Sequence, residues 1–151
     1  MRENLFKVKT VSGNWVNGLL ANIGDKWYIS NKAGRPFAYE VRPETICRFT
    51  GLCDKNGKEI WKNDILMCHG NPEDLVKVAF GEFGVRNIET GTIVDKVIGW
   101  HYEIIPTDTI SRCEPFCYSM PLTKDYIDRC EMEVVGNIFD NPELLQEESD
   151  E

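Results

Sequence analysis

Short apolar runs, each stopped within a few positions by glycine, proline, asparagine or aspartate, constrain this chain more than any other feature. Where such runs alternate with a period of two, one face of a strand is apolar and the other polar. Leu5–Val11 alternates in this way, with Phe6, Val8 and Thr10 on one face, and Ser12-Gly13-Asn14 turns the chain. Trp15–Ala21 and Lys26–Ser30 follow as strands around a turn at Asn22–Asp25. Ala33-Gly34-Arg35-Pro36 breaks the pattern, and Phe37–Val41 is a fourth strand stopped by Pro43. The first 49 residues therefore read as a β-meander.

Further on, Ile46–Leu52 and Glu59-Ile60-Trp61 flank Asp54-Lys55-Asn56-Gly57. Asn-Gly supplies the positive φ angles of a tight hairpin, and Asp54 caps the turn through its side chain. Lys62-Asn63-Asp64 turns again into an apolar strand, Ile65–Cys68. Leu75–Phe80, Gly84–Glu89 and Thr92–Ile105 follow; the last is long for one strand, so Gly99 is expected to bend or divide it. Residues 106–124, with Pro106, Pro115 and Pro121, show no period and read as an irregular excursion. Tyr126–Met132 is a helical turn or a strand lead-in, and Glu133–Phe139 is the final strand. Asn141-Pro142 opens one short C-terminal helix, Asn141 as cap and Pro142 at the first helical position. Strands this short and numerous imply an all-β fold, a barrel or sandwich.

A chain of 151 residues with 42% apolar side chains can bury a real core, which excludes wholesale disorder. No apolar stretch approaches the roughly 20 residues of a membrane helix, and MRENLFKVKT lacks the apolar core of a signal peptide. The net charge is −8, unevenly spread: residues 1–65 carry +4, residues 66–139 carry −6, and the six acids from Asp140 to Glu151 have no base among them. That balance argues against a strong non-specific DNA binder, while the early basic half leaves room for a small basic patch. The six cysteines (Cys47, Cys53, Cys68, Cys113, Cys117, Cys130) are read as reduced and structural. Only Cys113 and Cys117 approach metal-ligand spacing, and Cys68 and His69 are adjacent, so on a strand they would point apart.

Two stretches are more specific. TGLCDKNGKEIWKNDI, Thr50–Ile65, and VVGNIFDNPELL, Val134–Leu145, together resemble the YopX family of phage and prophage proteins. Trp15-Val16, Gly18 and Arg42-Pro43-Glu44-Thr45 resemble an N-terminal variant of that family, so the likeness spans about residues 1–145. The chain departs from the family at Cys53, where lysine is usual, and at Asn63, where glycine is usual; asparagine tolerates left-handed backbone angles, so the turn survives. The resemblance implies a mostly β fold built on a small SH3-like or related barrel, here 50–145 behind the 1–49 meander within a single 1–145 domain, with an acidic tail at 146–151. It also implies a phage or prophage origin, hence the bacterial cytoplasm, and it implies no activity.

The conspicuous polar residues have structural readings. Asp54, Asn56, Gly57 and Asp64 specify a hairpin and a strand start, and Asn141 and Pro142 a helix start. His69 and His101 lack a serine or cysteine nucleophile at any familiar spacing, and Gly81-Glu82-Phe83-Gly84 lacks the context of a phosphate loop. No catalytic residue, cofactor or metal site is assigned. Aromatics are the better clue: a small barrel cannot bury Trp15, Trp27, Tyr28, Trp61, Phe80, Phe83, Trp100 and Tyr102 together, and Trp61, Trp100 and Phe83 are the candidates for a binding surface. The expectation is a non-enzymatic accessory protein that binds protein, as a homodimer or with a host protein. A nucleic-acid-binding barrel is one alternative, and a nucleotide-handling enzyme the other.

Overall fold

The computed structural model describes residues 6–30, 38–87, 89–105 and 120–145. The turn expected at Ala33–Pro36, Phe37, residues 106–119 with Cys113 and Cys117, and the tail from 146 lie outside the described residues. Two compact units divide the chain, Met1–Phe49 and Thr50–Glu151.

The first unit is an antiparallel meander. β1 (Phe6–Lys9), β2 (Trp15–Ile23), β3 (Lys26–Ser30) and β4 (Tyr39–Glu40) lie in consecutive order, and the start of β5 (Cys47–Cys53) pairs with β1 on the other side. The β1–β2 turn is closed by the Gly13 N–H on the Thr10 carbonyl at 2.8 Å, with Gly13 at φ 98°. Alternation fixes which face is buried: Val8, Ile29 and Val41 form the core, with Val16, Leu20, Trp27 and Ile46 packed around them.

In the second unit, β5 runs on beside β6 (Glu59–Trp61), and a five-stranded antiparallel sheet follows. Its strands are β7 (Asp64–Met67), β8 (Leu75–Arg86), β9 (Ile93–Ile104), β10 (Met120–Pro121) and β11 (Glu133–Asn137), in the order β10-β9-β8-β7-β11. α1 (Lys124–Arg129) precedes β11 and is capped by Thr123, whose hydroxyl accepts the Tyr126 N–H. Ile60, Leu66, Val76, Val78, Tyr102, Leu122, Ile127 and Met132 fill the main core. Each such side chain contributes about 1.5–3 kcal/mol when fully buried.

The all-β class holds, but the barrel does not form. Among the described residues both sheets keep free edges, and closure needs the last strand to pair with the first. Three local expectations also change. The Asn56-Gly57 turn has positive φ only at Gly57, 84°. The Gly57 N–H bonds the Asp54 carbonyl at 3.0 Å and the Asp54 N–H bonds the Lys58 carbonyl at 2.8 Å, a type I turn followed by a glycine bulge rather than a two-residue hairpin. Gly99 does not divide its strand, because it lies opposite Gly81 in a ladder whose register runs straight past the pair, and that ladder also joins Leu75–Phe80 and Gly84–Arg86 into one strand. The C-terminal helix is a 3-10 turn, Pro142–Leu145, and the α-helix is α1. The Asn141 side chain does not cap that turn; its Oδ1 accepts the Asn137 N–H at 3.2 Å.

Gly57→Val is expected to lose about 1–3 kcal/mol, since a β-branched residue resists a left-handed angle. Thermal melting checks this, and an unchanged midpoint overturns the turn assignment.

Candidate functional site

The two sequence stretches that resemble a family meet in space. Asp54 is 6% exposed. Its Oδ1 accepts the Asn56 and Lys58 N–H groups at 2.8 and 2.9 Å, and its Oδ2 accepts the Val134 N–H at 2.8 Å, 80 residues on. The Lys55 N–H reaches the Met132 carbonyl at 3.0 Å beside it. Asp64, also buried, accepts the Trp61 N–H at 2.8 Å, and Asn63, at φ 75°, gives its carbonyl to the Ile138 N–H at 3.1 Å. Three backbone donors on Asp54 and one on Asp64 give these carboxylates a scaffolding task.

The thiols in the main core are held neutral. Burial pushes the Cys68 thiol up to about 12, with Asp74 and Cys130 adding to it. Cys130 is raised by burial and by Asp74, against the opposing pull of Arg129. Burial raises the Tyr102 phenol and the Asp74 carboxyl as well. A thiol that stays protonated is a poor nucleophile and a poor metal ligand. Among the described residues no three His, Cys, Asp or Glu side chains gather where they could hold a metal ion, and no helix is long and apolar enough to cross a membrane.

The three aromatics picked from the sequence are not together. Trp61 is 4% exposed and offers no surface. Trp100 and Phe83 both stand on the β8–β9 hairpin, but the ladder puts them on opposite faces. Trp100 packs on the main core and meets the Phe80 ring edge-on at 5.0 Å. Phe83 leans along the face left bare by the Gly81–Gly99 pair and stacks on the buried His101 at 4.4 Å. His101 is held by the Gly99 carbonyl at Nδ1, 3.1 Å, and by Glu103 at Nε2, 3.2 Å.

What the structure adds is the outer half of that hairpin. β8 and β9 are 12 residues each, but β7 covers only Leu75–Lys77 of β8, and β10 only His101–Tyr102 of β9. Beyond Gly81 and Gly99, among the described residues, the two strands have no strand neighbour but each other. The tip is built firmly: Asn87 Oδ1 accepts the Glu89 and Thr90 N–H groups, and the Arg86 guanidinium donates to the Gly91 carbonyl at 2.7 Å. Along this ribbon Phe80, Ile93, Val94, Val97 and Ile98 are exposed, Val94 at 61% and Ile98 at 75%. Val94 occupies a bulge between Asp95 and Ile93, which turns its neighbours relative to the ladder. The sequence signal was present in Ile93-Val94-Asp95-Lys96-Val97-Ile98: a strand apolar on both faces needs two covering layers.

None of the curated proteins matches the sequence. The family described as YopX protein matches residues 7–146, the span that holds the Asp54 clamp, both sheets and the ribbon. On that match the chain belongs to the YopX family.

Proposed function

We propose that the chain is a non-enzymatic accessory protein of phage or prophage origin, acting in the bacterial cytoplasm by binding protein, and that the outer β8–β9 ribbon is its binding surface. The observation that carries this reading is the set of exposed apolar side chains on a ribbon whose edges have no strand neighbour among the described residues, Ile98 at 75% above all. Soluble chains rarely leave such a surface without a partner, and open strand edges invite pairing.

A second copy of the chain is the occupant this surface favours. The paired stretch of the ribbon carries Glu82, Arg86, Asp95 and Lys96, two of each sign, whereas the unit that bears it holds nine bases against twenty-one acids. Two ribbons therefore meet without repulsion, while the acidic remainders of two copies repel. Apolar surface supplies the attraction and the closed pairing stops at a dimer.

Light scattering at micromolar concentration tests this. The wild-type chain is expected at the mass of a dimer, and Ile98→Lys is expected to weaken the dimer by about a hundredfold, because the change is felt twice across a two-fold axis. A strictly monomeric wild-type mass overturns self-association, as does a dimer indifferent to Ile98→Lys.

A further inference from the structure

We infer that two copies of the chain join edge to edge through β9, antiparallel about a two-fold axis at Val97, so that their outer ribbons form one continuous sheet. This rests on the self-association proposed above and adds to it an edge, a register and a set of opposed side chains. The ladder fixes which backbone groups face outward. The Asn63 N–H donates to the Val78 carbonyl and the Leu122 N–H to the Trp100 carbonyl. Over the regular part of the ladder, even-numbered residues of β8 and β9 therefore turn their N–H and C=O groups away from the hairpin. Among the described residues, Phe80, Glu82 and Gly84 carry the open edge of β8, and Lys96 and Ile98 that of β9. The β9 edge is the more open: every residue from Ile93 to Ile98 is exposed, whereas Phe83 to Arg86 are half-buried.

One register suits that edge. An axis at Lys96 sets two ammonium groups face to face, and like charges directly opposite repel. An axis at Ile98 or Gly99 draws Trp100 into the pairing, and its carbonyl already takes the Leu122 N–H beside β10. An axis at Asp95 runs into the bulge at Val94. An axis at Val97 pairs Lys96 with Ile98 of the second copy, each such pair exchanging both of its N–H···O bonds. In the free chain the Lys96 N–H is held by the Asp95 carboxylate at 2.8 Å, an exposed bond that the incoming carbonyl replaces. Asp95 then lies opposite Gly99 of the second copy, where even an added Cβ would meet nothing within 4 Å.

The side chains match on both faces. On one, Val97 meets Val97 of the second copy at the close, non-hydrogen-bonded spacing, with Phe83 across the ladder from each. On the other, Lys96 lies beside Ile98 of the second copy and lays its stem over that 75% exposed side chain. Its ammonium group reaches Glu82 of the same copy, which stands across the ladder from Ile98. Gly84, across from Lys96, puts no side chain in the way.

Cross-linking of the full chain tests the register. Val97→Cys puts two thiols on the axis with Cα atoms about 4.5 Å apart, within the span of a disulfide, about 4.4–6.8 Å. Ile98→Cys separates them by more than about 8 Å, beyond that span. With oxidised glutathione as the oxidant, mass spectrometry is expected to find a peptide linked at position 97 in the first variant and none linked at position 98 in the second. Peptide mapping separates these from links through the exposed Cys53. In light scattering, Lys96→Glu and Glu82→Lys are each expected to weaken the dimer about tenfold, and the double reversal to return to within about threefold of wild type. A dimer with no link at position 97, a link of equal yield at position 98, or a double reversal no tighter than the single changes overturns the β9 pairing and leaves dimerisation standing. A monomeric wild-type mass overturns both.

Discussion

Replacing Asp54 with alanine is expected to destabilise the chain by about 3–4 kcal/mol, lowering its urea midpoint by roughly 2 M. The carboxylate is buried and accepts three backbone N–H groups, two from its own turn and one from Val134. Hydrogen bonds to a charged acceptor contribute about 1.5–3 kcal/mol each, and an orphaned buried donor carries a similar penalty. Water can reach the Asn56 and Lys58 donors more readily than that of Val134, which limits the total. Asp54→Asn keeps the shape but turns an amide donor towards one of the three N–H groups, so about half the loss is expected. A midpoint within about 0.5 M of wild type for Asp54→Ala would show that the clamp contributes little.

The clamp explains why the two family stretches were legible in the sequence as structure. Asp54 through its Oδ1, Asp64, Gly57 and the left-handed Asn63 set the backbone within a few residues, and turn chemistry is local, whereas the reach of Asp54 Oδ2 to Val134 and of the Asn63 carbonyl to Ile138 is not. The meander was legible for the same reason, since each of its strands pairs with a chain neighbour across a short connection. What was not legible depends on distant partners. Gly99 looks like a break until Gly81 is placed opposite it, and then the pair sustains a ladder. Trp61 looks like a spare aromatic until the fold buries it, leaving 4% exposed. Ile93 to Ile98 resemble a buried strand, and only the short reach of β7 and β10 leaves them uncovered. Barrel closure is likewise a property of strand tilt and pairing across the whole sheet, which no local pattern encodes.

Gly136→Ala is the second large effect expected, a loss of about 2–4 kcal/mol. The reason is space. A Cβ at this position would lie 2.6 Å from Asn141 Cγ, closer than carbon atoms approach, and 3.1 Å from its Cβ, a tight contact. Asn141 cannot yield cheaply, because its Oδ1 holds the Asn137 N–H and its own N–H holds the Asn137 carbonyl at 2.9 Å. Asn137 in turn accepts the Phe139 and Asp140 N–H groups, both at 2.9 Å. That knot delivers Ile138, Leu144 and Leu145 to Ile65, Leu75 and Ile105, the smaller core of the second unit. Forcing Asn141 aside therefore loosens apolar packing as well as two hydrogen bonds. Asn141→Ala alone removes one side-chain acceptor and is expected to lose about 1 kcal/mol. Combined with Gly136→Ala it removes the two severest contacts and leaves only the tight Cβ approach, so the double variant is expected to be at least about 1 kcal/mol more stable than the two single losses add up to. Strict additivity in urea unfolding would mean that Gly136 is needed for something other than room beside Asn141.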